Sequence, residues 1–265
     1  MSKYRVVLTG ATGGIGQALA KALAPHAQSM ILLGRQAQAL EKLAGELSGS
    51  CQVAIVCGDL LSQETHQQLQ AKVTDLGGVN LLIHNAGVSD FDAFENQDPA
   101  IIKQLLDVNL LTPLLLTQAL LPSLKRESGA QIINIGSTFA YIGFPGFAAY
   151  CASKFGLRGF TQALRRELSG TGIVVRIFSP RATQTDINDQ RVVAMNQALK
   201  TAVDTPAAVA QAFMQFLPKT TFEARMGFAE NFFAILNQLL PGIPDGAIAG
   251  QVKTIRQFFR KKDAS

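Results

Sequence analysis

The 265-residue sequence is poor in residues that bind metals or staple chains. Its three cysteines, Cys51, Cys57 and Cys151, form no CxxC pair and cannot all be bridged within one chain. That points to a reducing, cytoplasmic setting rather than a disulfide framework. The three histidines fall at positions 26, 66 and 84, without metal-ligand spacing, so no metal site is expected. No signal-peptide pattern precedes the first apolar run. No uninterrupted apolar run reaches the roughly 18 residues expected of a spanning helix. Charge is also sparse, at 16% of residues, and the net +5 is uneven. Residues 251–265 hold Lys253, Arg256, Arg260, Lys261 and Lys262 against Asp263, a net +4 that leaves +1 for residues 1–250. A nucleic-acid footprint on the body of the protein is therefore not expected.

What is present is apolar sequence, 48% of the residues, enough to fill a large core. Six short runs are apolar almost throughout: 4–9, 30–33, 53–57, 79–83, 132–135 and 173–178. Such runs suit strands buried on both faces of a parallel sheet. Longer segments of helical character separate them, at about 14–25, 36–47, 62–76, 99–125 and 147–169. The alternation predicts an α/β fold, a doubly wound, Rossmann-like parallel sheet with helices on both faces. No repeat or linker divides residues 1–265, so a single domain is expected, with 229–265 as a C-terminal helical extension. Pro113 predicts a kink or break within 99–125. Beyond residue 205 the pattern predicts a helix at 205–217, a short run from Glu223 to Phe228, and helices at 229–240 and 246–260. Pro241-Gly242-Ile243-Pro244 separates the last two.

The first strand runs into Thr9-Gly10-Ala11-Thr12-Gly13-Gly14-Ile15-Gly16. Glycines between a strand and a helix allow a tight turn and let backbone N–H groups approach a pyrophosphate, whose charge the helix N-terminus then favours. The segment fits TGxxxGxG through Gly10, Gly14 and Gly16, and equally TGxxGxxG through Gly10, Gly13 and Gly16. The second strand ends at Leu33-Gly34-Arg35. An acid there would bind the adenosine ribose of NAD(H). Glycine followed by arginine suits a 2′-phosphate instead, so NADP(H) is expected in preference to NAD(H), the alternative being a solvated surface arginine.

Later motifs resemble those of the short-chain dehydrogenase/reductase family, in its short branch of roughly 250 residues. His84-Asn85-Ala86-Gly87 resembles NNAG with His for the first Asn. Asn109 stands in Asp107-Val108-Asn109-Leu110 like the family's helix-four asparagine. Ser137 closes the fifth strand, 13 residues before Tyr150, and Tyr150-Cys151-Ala152-Ser153-Lys154 matches YxASK. The resemblance covers about residues 3–187 and implies Asn109, Ser137, Tyr150 and Lys154 as catalytic residues. It implies Gly10, Gly14, Ile15 and Gly16 at the pyrophosphate, Asp59 at the adenine, Asn85 and Ala86 along the cofactor, and Thr185 at the nicotinamide amide. Thr12, Leu60, Gly87, Pro180 and Thr183 complete the implied cofactor set, which also includes Tyr150 and Lys154. Two departures sit beside the nicotinamide: the family's PG is Pro180-Arg181, and its usual aliphatic residue is Thr183. Residues 229–265 resemble the extended C-terminal region of a subset of bacterial reductases.

Tyr150 and Lys154 are four apart and share a helix face. To exchange a proton near neutrality a tyrosine must fall about 3 units below its usual value near 10, worth about 4 kcal/mol. One ammonium about 4 Å away supplies that much at an effective dielectric of about 20. Lys154 is therefore expected to lower Tyr150. Ser137 would hold the substrate oxygen, and by resemblance Asn109 holds a water that links Lys154 to solvent. Cys151 reads as a small packed side chain.

The expected activity is hydride transfer between NADP(H) and a carbonyl or alcohol, with an apolar substrate. The alternatives are a non-catalytic NADP(H)-binding sensor and a membrane-associated scaffold. Phe139, Tyr141, Phe144, Phe147 and the 228–233 segment are candidates for an apolar pocket, for core or for subunit contacts. The helices at 99–125 and 147–169 carry more leucine and phenylalanine than one sheet-facing stripe needs, which suggests a homodimer. Ile248, Val252, Ile255 and Phe259 recur at helical spacing among the C-terminal basic residues. That stripe and the apolar 231–240 segment before it either pack on the body, cover the substrate cleft or meet a second subunit, or the stripe lies on an anionic membrane as a peripheral contact. In the membrane case 231–240, too short to span, could also insert.

Overall fold

The computed structural model describes residues 4–260. Seven parallel strands form one sheet: β1 Tyr4–Thr9, β2 Ala27–Gly34, β3 Gln52–Cys57, β4 Leu81–His84, β5 Gln131–Ile135, β6 Val174–Ser179 and β7 Glu223–Arg225. Their order is β3-β2-β1-β4-β5-β6-β7. Successive residues of a strand face opposite sides of the sheet, and both sides are covered. Val6, Leu8, Met30 and Leu32 pack with α1 (Gly14–Leu23), α2 (Ala37–Leu47) and α8 (Pro206–Phe216). Val7, Ile31, Leu33 and Leu82 pack with α3 (Gln63–Asp75), α5 (Thr112–Leu124) and α6 (Ala148–Glu167). Burial on both sides is why these strands read as continuous apolar runs. The chain winds outward from β1 to β3, then returns to place β4 on the other side of β1. A crevice opens at this reversal, beyond the strands' carboxyl ends.

The 99–125 segment is neither straight nor broken. Helix α4 (Pro99–Leu106) passes through a widened π-helical turn, Asp107–Leu111, into α5. The Thr112 N–H bonds back to the Asp107 carbonyl, and Pro113 follows at the start of α5. Pro113 has no N–H to offer, so widening the turn ahead of it replaces the expected kink. The whole rod, Pro99–Leu124, is 26 residues long and apolar enough to cross a membrane by length and composition. No uninterrupted apolar run marks this rod in the sequence. Leu116, Leu120 and Leu124 are buried against the sheet, as in a core helix.

Other elements differ from expectation. Strand β2 starts at Ala27, and β6, read as apolar, contains the buried Arg176. Its guanidinium donates to the carbonyls of Phe216 (3.2 Å), Leu217 (2.8 Å) and Lys219, so it caps the end of α8. Helix α7 (Gln190–Ala198) had no counterpart in the periodicity. After α9 (Phe228–Leu239), the expected helix at 246–260 is two helices, α10 (Gly242–Ala249) and α11 (Val252–Arg256). Pro244 lies in the first turn of α10, where no intrahelical N–H is needed, so the proline pair begins this helix instead of separating two. Lys261, Lys262 and Asp263 of the basic stretch lie outside the described residues.

Candidate active site

The glycine turn connects β1 to α1. Gly10 has φ +63°, and a Cβ there would lie 2.6 Å from the Ala86 Cα. A Cβ on Gly16 would lie 2.9 Å from the Ala11 Cα, and one on Gly14 2.7 Å from the Thr185 side chain. A Cβ on Gly13 meets nothing closer than 3.5 Å. The structure thus requires Gly10, Gly14 and Gly16 and leaves Gly13 free, which separates the two fits the sequence allowed. No side chain caps α1 and no acid sits in its first turn. Its N–H groups and the side-chain-free cradle fit a dinucleotide pyrophosphate.

Asn85 braces this turn from β4. Its side-chain amide donates to the carbonyls of Thr9 (3.1 Å) and Gly10 (3.0 Å). The Thr9 hydroxyl accepts from the backbone N–H groups of Asn85 and Ala86, both at 3.0 Å. Thr9 was not singled out in the sequence, although it heads the glycine segment. Arg35 stands exposed just past β2, Gly34 lies under Thr12, and Asp59 is exposed past β3. The Asp59 carboxylate accepts from the Leu61 N–H (3.0 Å), and the Leu60 carbonyl bonds the His66 ring (2.7 Å). His84 is buried, with one ring nitrogen 2.9 Å from the Thr117 hydroxyl, and burial holds its pKa down to about 3.

A cavity of about 810 Å³ continues from this end of the crevice across β5 and β6. Ile15, Asn85, Gly87, Pro180, Thr183 and Thr185 line one part of it. Ser137, Tyr150 and Lys154 line it together. The Ser137 hydroxyl accepts from the Phe139 N–H at 3.2 Å and lines the cavity together with Tyr150. The Lys154 ammonium donates to the Ile135 carbonyl (3.2 Å) and lies 5.8 Å from the Tyr150 ring centroid.

The expected lowering of Tyr150 by Lys154 does not hold in this structure. Burial among Phe139 and Phe147 pushes the Tyr150 hydroxyl up to about 12, against a smaller opposing pull from Ser137. Burial also pulls Lys154 down to about 8. An ammonium lowers a nearby tyrosine when the pair is partly solvated, whereas both groups here are enclosed and burial disfavours both charged forms. Burial raises the Cys151 thiol to about 11, so it remains a protonated, packed side chain.

Asn109 in the π turn is fully buried. Its carbonyl oxygen accepts from the Val88 N–H (2.8 Å), and its amide donates to the Val88 carbonyl (2.9 Å) and the Ser153 hydroxyl (3.1 Å). Ser153 donates to the Tyr150 carbonyl (2.7 Å). Asn109 therefore ties the loop after β4 to the helix bearing Tyr150 and Lys154. Ser153 belongs to the quoted YxASK motif, yet only the long-range partner reveals its part.

Arg181, at the position of the family's glycine, forms two 2.9 Å hydrogen bonds with Asp204 and reaches Glu230 at 3.6 Å. The Asp204 carboxylate holds the Arg181 guanidinium above its usual value. Thr183 is buried, its hydroxyl bonded to the Arg181 carbonyl at 2.9 Å. Phe139, Phe144, Phe147, Phe228 and Phe233 line the cavity. Tyr141 does not; it is buried between Arg158 and Arg225, within 3.3 Å of Glu223.

Residues 4–196 match the family model of the short chain dehydrogenases. Nodulation protein G of Rhizobium sp. (strain N33) is 34% identical over 204 residues, 76% of this chain and 82% of that protein. Ketoacyl reductase HetN of a Nostoc species is 32% identical over 222 residues, 82% of this chain and 76% of that protein. A solved short-chain dehydrogenase from Streptomyces avermitilis has a TM-score of 0.77 at 26% identity, with 96% of each chain covered. One from Sphingobium yanoikuyae, in complex with NADPH, has a TM-score of 0.76 at 25% identity, covering 99% of this chain and 100% of that one.

Proposed function

The chain belongs to the short-chain dehydrogenase family and is an oxidoreductase with a nicotinamide cofactor, and from that premise we propose that it reduces an apolar carbonyl compound with NADPH. The observation that carries this reading is the meeting of Ser137, Tyr150 and Lys154 in one cavity that also reaches Ile15 beside the glycine turn. When bound, the cofactor supplies the hydride. Ser137 holds the substrate oxygen against Tyr150. A hydroxyl raised to about 12 is a weaker acid than a free tyrosine and stays protonated through the physiological range, so Tyr150 gives its proton only as hydride transfer builds negative charge on the carbonyl oxygen and makes it the stronger base. The Lys154 ammonium favours the tyrosinate left behind, and its pKa of about 8 suits it to restore the proton. Asn109 acts as a positioning residue through Val88 and Ser153.

Preference for NADP(H) over NAD(H) is supported by Arg35 after β2 and by the NADPH carried by the Sphingobium relative. An apolar substrate is supported by the phenylalanine lining. We further propose a cytoplasmic homodimer. A sensor or scaffold has no use for the Ser–Tyr–Lys set and is not favoured. The test is a panel of ketones, aldehydes and alcohols with each nicotinamide form. NADPH oxidation by apolar ketones is expected, and Tyr150→Phe should lower turnover by at least about 100-fold, the scale of general acid catalysis, with cofactor affinity retained. Near-normal turnover of Tyr150→Phe would remove the tyrosine from the mechanism.

A further inference from the structure

Two apolar stripes follow β7, and they have opposite fates. The stripe of the C-terminal basic segment turns inward. Ile255 is fully buried, Phe258 and Phe259 pack beside it, and Phe259 lies 5.3 Å from Phe91. Arg260 pins this segment to Asp90 and Asp92. Its apolar side is therefore spent on the protein's own body.

Helix α9 is different. Its inner side is anchored by buried Ala234 and by Asn237, whose amide donates to the Tyr141 carbonyl at 2.9 Å. Its outer side carries Phe228, 90% exposed, and Leu239, 72% exposed, together with exposed Phe232, Ile235 and Leu240. The lone charged residue from 228 to 244 is Glu230, and it faces Arg181. The exposed face is thus free of charge, while the exposed cations Lys253 and Arg256 follow it against one exposed acid, Asp245. Monomeric proteins rarely leave so many large apolar side chains exposed along one helix without a use. The same region forms a wall of the cavity through Phe228, Phe233, Pro244 and Ile248. Phe228 therefore belongs both to the cavity wall and to the exposed outer face. A 12-residue helix is about 18 Å long, too short to cross a hydrocarbon core of about 30 Å.

We propose that α9 docks the protein on an anionic lipid surface, lying flat in the headgroup boundary, and that apolar substrate reaches the cavity along this helix. The route for substrate rests on the reductase reading; the docking does not. A second copy is the weaker occupant, because exposed apolar residues on the α4–α6 side, including Leu111 and Phe155, already offer a separate face for it.

The test is flotation of the full chain with phosphatidylcholine vesicles, with and without phosphatidylglycerol, at low and high salt. The parent should float with phosphatidylglycerol vesicles at low salt and less at high salt. Phe232→Glu with Leu239→Glu should weaken binding by at least about tenfold, since each buried side chain of this size is worth that much in affinity. Neither residue lines the cavity, so reduction of a water-soluble ketone and the melting curve should stay at parental values. If the glutamates impair folding, Leu239→Gln with Leu240→Gln repeats the test more gently. A parent that does not float at low salt, or variants that float like the parent, would overturn the docking. A variant that instead falls from dimer to monomer would assign the face to a second copy. Absence of ketone turnover in both proteins would count against the reductase reading and leave the docking result intact.

Discussion

Lys154 and Tyr150 both sit where a charge is unwelcome, and the two shifts give opposite slopes of stability against pH. Lys154 is 5% exposed and falls from 10.5 to about 8 on folding. Below pH 8 it is charged in both states, and the fold bears the full desolvation. Between pH 8 and 10.5 the unfolded chain holds more protons, so this lysine makes stability rise with pH. Tyr150 rises from 10 to about 12, so between those values the unfolded chain loses its proton first and stability falls. Lys154→Met should therefore inactivate the enzyme yet stabilise the cofactor-free protein at pH 7 by up to about 3 kcal/mol, less whatever its bond to Ile135 contributes. Urea unfolding at pH 7 and pH 10.5 checks this. The advantage of the variant must shrink at the higher pH, and a constant difference would mean that burial of charge is not the cause. Arg35 is exposed, and its expected partner is a phosphate rather than the protein. Arg35→Ala should weaken NADPH by roughly ten- to a hundredfold and NADH hardly at all, the worth of one charge-assisted pair. Equal losses in titrations with the two cofactors would give Arg35 another role.

Turns and strands differ in how much of their geometry the local sequence carries. The glycine turn was legible as a phosphate cradle, but which glycines matter depends on Ala86, Ala11 and Thr185 across the crevice. Gly13→Ala should leave NADPH affinity within about twofold, because ordinary contact distance surrounds the new methyl. Gly16→Ala should reduce it more than about tenfold, because the turn must open to admit the methyl. Fluorescence titration of both variants distinguishes a specific steric need from a general loss of glycine. The central strands were legible because burial on both faces leaves an apolar run. Arg176 escaped that reading, since its partners are carbonyls some 40 residues away at the end of α8. The positions of Ser137, Tyr150 and Lys154 followed from motif spacing, whereas the enclosure that shifts their proton affinities follows from packed phenylalanines distant in sequence. The hydrogen bonds of Thr9 and Ser153 were hidden for the same reason. Helix α7 has only Val192 and Met195 fully buried, too few to make a period stand out.

At the scale of the whole molecule, two of the faces where large apolar side chains remain exposed among the described residues call for different partners. On the α4–α6 side, Leu106, Leu111 and Phe155 are exposed although each lies on an element packed against the core. Gly156 lets α6 sit close to the π turn, since a Cβ there would be 2.9 Å from Leu110. The widened turn and this close packing bring Leu111 and Phe155 to neighbouring elements. A face shared by parallel rods suits a two-fold interface, in which the same patch meets itself. Light scattering at micromolar concentration should give the mass of two chains. Leu111→Glu with Phe155→Glu, which places charge on both elements of the face, should shift the protein to the mass of one chain and leave vesicle binding through α9 in place. A parental protein that scatters as a monomer removes the dimer. A variant that stays dimeric while Phe232→Glu with Leu239→Glu dissociates would exchange the roles of the two faces.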